Sequence, residues 1–575
     1  MAFSLLLPIT ASPLQAASYL LGVCLFSISF LVFLNSAVSF VITDRIGQTN
    51  GVGDAVGTLG FADELLALVA CPIWGALSDR VGVRAVVVTG YAIVGVALCL
   101  FVQARNVYPQ LLLGRLLFSL GGSATSTMVT AILPTMTQPR TPLPTPTSTP
   151  TPIPHAHRPT PSISSELTIT PARFQARTPP PPISPTPPPS SSAGKLSGIV
   201  GMLTGIGALV ALGFFLPLPT YFQNAGMSPG QAVADSFYVV GAIALVVAVG
   251  CAFGLRHLPG EEAKSYHALF KSHVQKDSSY ADEPGTRVLS YPRLLFHAAS
   301  LALHDVDIAL AYVGGFVARA SSVAISLFIP LYINAYFISS GRCRATTSLP
   351  HDPHAIKRTC QRAYILASIL TGTSQLIALL CAPLFGYLSA RYAHSNAPLL
   401  LTAIAGIAGY VMLGLLKNPD FAEKDGGPGV FIIVALVGVS QIGAIVCSLA
   451  LVARGVHGEQ PEKIHPPPPT PGAGSADSAL GTPTPTAGPN VLPEEPPESR
   501  ENRHALKGSI AGMYSLAGGA GILLLTKLGG VLFDGADVGG PFFMMAGFNA
   551  VLAAAVGVGW WVRGREKEGD AGEGT

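Results

Sequence analysis

Four charged residues stand in surroundings that are otherwise apolar: Asp63, Glu64, Arg115 and Arg319. An isolated charge in hydrocarbon costs about 3 kcal/mol or more, so such groups pair, line water or reach for an interface. Desolvation favours a neutral carboxyl, and a neighbouring arginine favours the carboxylate. A group carried between those two settings binds and releases a proton. Asp63 and Glu64 are therefore candidates for proton coupling, with Arg319 as a cavity-facing partner from a distant part of the chain. A structural salt bridge is the competing reading. Arg115 has two readings as well, a coupling role or snorkelling to the membrane surface. Four neutral polar residues, Asn35, Gln375, Gln441 and Asn549, also lie in apolar runs. Each is placed either to contact a substrate or to join two helices by a hydrogen bond.

The elements that hold these residues follow from composition. Of 575 residues, 49% are hydrophobic and 11% charged. A soluble domain carries about a quarter charged residues, so this chain lacks the charge to cover a water-facing surface of its size. Its apolar residues fall in runs of about twenty, the length that crosses hydrocarbon as a helix. Lipid offers no partner for backbone polar groups, which rules out open sheets. Twelve spans are expected, at 18–43, 54–78, 84–104, 110–134, 195–217, 230–255, 306–337, 363–388, 397–416, 428–453, 507–532 and 539–562. They divide the chain into spans 1–4 (1–137), a Pro/Thr/Ser-rich insert (138–194), spans 5–6 (195–255), a central loop of mixed charge (256–305), spans 7–10 (306–453), a second Pro-rich insert (454–506), spans 11–12 (507–562) and a tail (563–575). Proline at the density of the two inserts favours extended, solvated chain, and both are expected to be disordered.

Lys and Arg set the orientation. With both termini in the cytoplasm, 22 of the 34 basic residues fall inside, 9 outside and 3 within spans. The loop between spans 7 and 8 is then exterior or lumenal, where Cys343 and Cys360 are expected to form a disulfide. Lys527 is expected to snorkel or to pair with Asp534. No CxxC or Cys/His zinc spacing appears. The sequence also lacks a GxxxxGK[ST] loop for ATP, an HExxH and a nucleophile elbow, so an enzyme, a cofactor and a metal are not expected. A net charge of +3 is too small to point to nucleic acid.

Six spans, a long segment and six more spans suggest a duplicated half. Gly75-Ala-Leu-Ser-Asp-Arg80 after span 2 is echoed by Gly386-Tyr-Leu-Ser-Ala-Arg391 after span 8. The starts of spans 5 and 11, Lys195-Leu-Ser-Gly-Ile-Val-Gly and Lys507-Gly-Ser-Ile-Ala-Gly, are also alike. The segment GALSDRVGVR resembles the loop 2–3 signature of the major facilitator superfamily, with Gly75, Asp79, Arg80, Gly82 and Arg84 in register and Val83 where the family often has arginine. Gly114-Arg115 and Gly121 of span 4 are similar to the family's arginine-glycine pattern, at a longer spacing. Span 5 resembles the glycine-rich antiporter motif without its central Gly-Pro.

The resemblance implies an all-α polytopic membrane protein of two pseudo-symmetric six-helix bundles, with the loop 2–3 cluster acting as a gate between them. It implies a monomeric secondary active transporter of a small organic solute or ion, working by alternating access with proton coupling, in the plasma membrane or an organelle membrane. A transporter-like receptor or scaffold that moves no solute is the alternative.

Overall fold

The computed structural model describes residues 11–48, 52–137, 189–259, 261, 264, 291–340, 361–393, 395–421, 427–457, 503, 506–535 and 537–572. Within them are twelve helices long and apolar enough to cross a bilayer. Span 1 is Pro13–Ile46, span 2 Ala55–Val81, span 3 Val83–Phe101, span 4 Val107–Thr137, span 5 Ser191–Asn224 and span 6 Pro229–Gly254. Span 7 is Val306–Ser339, span 8 Ile365–Arg391, span 9 Ala397–Leu415, span 10 Gly429–His457, span 11 Lys507–Gly535 and span 12 Gly540–Arg565. The chain is an all-α, multi-pass membrane protein.

Local chemistry sets the helix ends. The Asp305 carboxylate accepts from the backbone N–H groups of Asp307 and Ile308 at 2.9 and 3.3 Å, capping span 7. The Asn106 side chain accepts from the Gln110 N–H at 3.1 Å where span 4 starts. Spans 2 and 3 are separated by Gly82 alone, whose φ of 98° is a conformation other residues adopt only with strain.

Spans 1–6 and 7–12 form two bundles with matching internal packing. Spans 3 and 6, 2 and 4, and 1 and 5 pack in the first; spans 9 and 12, 8 and 10, and 7 and 11 pack in the second. Phe30, Phe33, Phe101 and Phe237 fill the first core, and Tyr410 and Phe542 lie fully buried in the second. Side chains such as Val246, Leu380, Ile432 and Val531 stay exposed on the outer flanks, the pattern expected of a lipid-facing surface.

The bundles meet through spans 2 and 11 and, symmetrically, spans 8 and 5; spans 4 and 10 close the gap between them. Both main seams are built on glycine, which lets backbones approach closely. A Cβ on Gly75 would stand 2.8 Å from the Gly512 Cα, and a Cβ on Gly386 would stand 2.7 Å from the Gly198 Cα. Gly194 and Gly508 occupy equivalent places, against Ala390 and Asp79. The two halves therefore align Gly194 with Gly508, two residues away from the register suggested by Lys195 and Lys507. The echo around spans 2 and 8 also reaches back to Pro72 and Pro383, both inside their helices.

Three segment boundaries differ from the sequence reading. The helix of span 5 begins at Pro189, inside the expected first insert, because Ala193 and Gly194 are needed at the seam with span 8. Span 10 runs on through Arg454 to His457, both buried. The Arg454 guanidinium donates to the Asn396 side chain at 2.9 Å and to the Ala393 carbonyl. The central loop contains a helix, Tyr291–His304. Most of both inserts, and Cys343 and Cys360, lie outside the described residues.

Candidate functional site

The middle of the first bundle holds a buried ion pair. The Arg115 guanidinium lies 2.5 Å from the Asp63 carboxylate and donates to the Asn35 side chain at the same distance. Asp63 is 6% exposed and Arg115 4%, so each charge is compensated by protein groups and not by bulk water. The Ser119 hydroxyl donates to the Asp63 carbonyl at 2.9 Å and ties spans 2 and 4 together. Arg115 thus points inward and does not snorkel. Asn35, its other partner, is exposed, which puts the edge of this network on an open surface.

Glu64 follows Asp63 by one residue, about 100° further round the helix. It stands outside the pair and lies within electrostatic reach of Asp63, Arg319 and Arg115. Among the described residues it makes no hydrogen bond and no ion pair within 4 Å. The Arg319 stem rests on span 11, where a Cβ on Gly518 would meet its Cγ at 2.7 Å. Both Glu64 and Arg319 are half-buried. The structure therefore distinguishes the two carboxylates: Asp63 is locked to Arg115 inside one bundle, and Glu64 stands outside that pair, within electrostatic reach of Arg319 of the other bundle.

The second bundle contributes a neutral network at the same centre. The Gln441 amide donates to the Ser322 hydroxyl at 2.9 Å, and the Gln375 amide donates to the Gln441 carbonyl oxygen at 3.4 Å. Gln441 is buried and Gln375 exposed. Asn549 lies elsewhere. It is fully buried, donates to the Met545 carbonyl at 2.9 Å, accepts from the Ser440 hydroxyl at 3.2 Å and packs against Gly406. Its contacts join spans 9, 10 and 12 and do not reach the centre. Lys527 lies 4.0 Å over the Phe61 ring of span 2, across the bundle boundary, and not on Asp534.

On the face where span 1 begins and span 12 ends, the bundles are closed. Asp79 accepts from the backbone N–H groups of Gly508 and Ser509, both at 2.7 Å, and from the Ser509 hydroxyl at 2.6 Å. A carboxylate at the start of span 11 satisfies amides that have no helical partner and faces the positive end of the helix dipole. Ala390 stands at the equivalent place in span 8, so the other seam closes there without a carboxylate, by close approach of the Gly194 backbone.

A second carboxylate, Glu261, adds a bridge that composition did not reveal. Its Oε2 accepts from the Val83 N–H at 2.7 Å, and its Oε1 lies 2.7 Å from the Lys507 Nζ. Lys507 also donates to the Thr135 hydroxyl at 3.0 Å, and His457 and Thr137 hydrogen-bond at 3.1 Å between spans 10 and 4. A Cβ on Gly82 would meet Glu261 Oε2 at 2.8 Å, so a side chain there would push that carboxylate aside. Arg80 and Arg84 flank this cluster at the turn after span 2. Among the described residues no group of His, Cys, Asp and Glu is arranged to hold a metal ion.

The part of the chain that builds spans 1–10 has a counterpart in known sequences. The family model described as Major Facilitator Superfamily matches residues 6–143 and 155–463. The chain belongs to that superfamily. Members of the superfamily are membrane transporters of small solutes, and the loop 2–3 residues Gly75 to Arg84 lie within the matched region. No curated protein sequence matches the chain. Solved structures similar to it include the human organic anion transporter MFSD10 (TETRAN), at 12% identity, with 95% of this chain and 100% of that chain covered and a TM-score of 0.49. The E. coli fucose:proton symporter FucP is also similar, at 12% identity, with 94% and 98% covered and a TM-score of 0.48.

Proposed function

We propose that this chain is a secondary active transporter that moves a small organic solute or ion by alternating access, coupled to protons. The observation that carries the reading is the disposition of Glu64. It is a carboxylate inside a membrane span that makes no hydrogen bond among the described residues and lies within electrostatic reach of an arginine of the other bundle. Rocking of one bundle against the other changes the distance between Glu64 and Arg319, and with it the affinity of the carboxylate for a proton. Asn35, Gln375 and Gln441 supply neutral hydrogen-bonding groups around the same centre and are proposed as solute contacts.

Charge bias puts both termini in the cytoplasm. The closed face is then cytoplasmic, and the arrangement corresponds to the state in which the centre opens outward. Asp79, Ser509, Glu261 and Lys507 hold that state and must part for release on the inside.

The test is solute-dependent proton flux in proteoliposomes, comparing wild type with Glu64→Gln and Arg319→Ala. Flux in the wild type that either substitution abolishes supports coupling. Solute flux that leaves internal pH unchanged makes the chain a uniporter and removes the role given to Glu64.

A further inference from the structure

The helix Tyr291–His304 has no counterpart among the spans, and its faces are unequal. Ala298 is fully buried and its carbonyl accepts from the Tyr312 hydroxyl of span 7 at 3.2 Å. Leu301 and Ala302 pack against the core, and the helix also touches spans 2 and 11. On the other side Phe296 is 73% exposed and Leu303 85%. Seven residues apart, they lie on one stripe. His297 and His304, also seven apart, form a parallel exposed stripe about 100° further round.

The height of this helix is fixed by its connection. Asp305 alone separates it from span 7, and Asp305 is already the cap of that span. Two further observations mark the same level. The Arg563 guanidinium of span 12 pairs with Asp307, within the first turn of span 7. Close by along span 12, Trp560 and Trp561 are exposed, and Arg565 lies 4.2 Å over the Trp561 ring. Exposed tryptophans with arginine beside them mark a membrane–water boundary. A helix ending at that boundary with a large apolar stripe and a polar stripe beside it has the character of an interfacial helix.

We propose that Tyr291–His304 is a membrane-surface anchor, with Phe296 and Leu303 inserted among the acyl chains just below the headgroups and His297 and His304 turned to the headgroup layer. The occupant of the exposed apolar stripe is the host bilayer, not a second protein. Because the helix rests on spans 2, 7 and 11, the anchor ties the lipid surface to the seam that has to open on this face.

The test is spin-label accessibility in the full chain, reconstituted in vesicles of phosphatidylcholine with phosphatidylglycerol. Single substitutions Phe296→Cys, Leu303→Cys, His297→Cys and His304→Cys are labelled, and the signal of the unsubstituted chain is subtracted. The expected result is greater collision with oxygen than with a water-soluble nickel chelate at 296 and 303, with the order reversed at 297 and 304. Greater nickel access at all four positions places the whole stripe in water and overturns the proposal. Low access of both reagents at 296 and 303 indicates a protein partner, such as a second copy, and also overturns it.

Discussion

Replacing Asp79 by asparagine removes a charge while keeping the shape of the side chain. One carboxylate oxygen takes a bond from the Gly508 N–H, and the other takes two, from the Ser509 N–H and hydroxyl. The asparagine keeps one acceptor and offers an NH2 group where the second stood, so the Ser509 N–H loses its partner. Hydrogen bonds to a charged group contribute about 1.5–3 kcal/mol each, and the helix dipole adds up to about 2 kcal/mol in buried geometry. In the open state water replaces these partners for aspartate and asparagine alike, which leaves a net effect of about 2–3 kcal/mol on closure. At ~1.4 kcal/mol per factor of ten, the ratio of closed to open falls roughly 30- to 150-fold. The reporter is Ala193→Cys, a fully buried position at the other seam, read by the modification rate with a membrane-impermeant thiol reagent applied from the closed face. Asp79→Asn should raise that rate by the same factor, and Asp79→Ala by at least as much. A rate within twofold of the parent would refute the view that this contact holds the bundles shut.

Gly198→Val puts a side chain where a Cβ already stands 2.8 Å from the Gly386 Cα. Overpacking of this kind costs about 1–3 kcal/mol, so the Ala193→Cys reporter should again become reactive, whereas Gly213→Ala, with open space around it, should not change it. Arg115→Met leaves the Asp63 charge buried without a partner and should cost about 3–5 kcal/mol of stability; the double substitution with Asp63→Leu should recover much of it, as measured by thermal unfolding in detergent. Glu261→Gln leaves the Lys507 ammonium without its anion and should also favour opening. Because the pair is buried, that effect should change little between low and high salt, as read from the same thiol reaction.

The spans were legible because the bilayer imposes a length and an apolar composition that no other constraint mimics, and all twelve stand close to their expected places. The duplication was legible in Gly75–Arg80 and Gly386–Arg391, where close backbone approach demands glycine. Its register at spans 5 and 11 was not. The visible likeness lies in the two lysines, whereas the contact is made by Gly194 before one and Gly508 after the other. The partner of Asp63 was missed for a geometric reason. Neighbouring residues on a helix point about 100° apart, so Asp63 turned into its own bundle toward Arg115 while Glu64 stayed outside that pair. Sequence spacing alone does not say which of two adjacent carboxylates faces which helix. Glu261 carried no signal, since it lies in a loop whose composition is mixed and whose partners, Val83 and Lys507, are far off in sequence. The helix Tyr291–His304 was hidden in the same loop, although Phe296 and Leu303 at seven-residue spacing were the available clue. Asn549 looked like the other neutral polar residues because burial within a bundle and exposure to a cavity leave the same mark on a sequence.

The central claim, coupled transport with Glu64 as the proton-binding group, is tested most directly by internal pH in proteoliposomes under an imposed proton gradient. Pools of sugars, amino acids, organic acids, metal ions and cationic drugs are added in turn. The prediction is a proton flux that appears with one pool and disappears in Glu64→Gln while binding of that solute persists. A solute-dependent proton flux of unchanged size in Glu64→Gln would contradict the assignment. Absence of proton flux with every pool, from protein that unfolds cooperatively and remains closed at the Asp79 seam, would contradict proton coupling, and absence of solute uptake as well would favour a receptor.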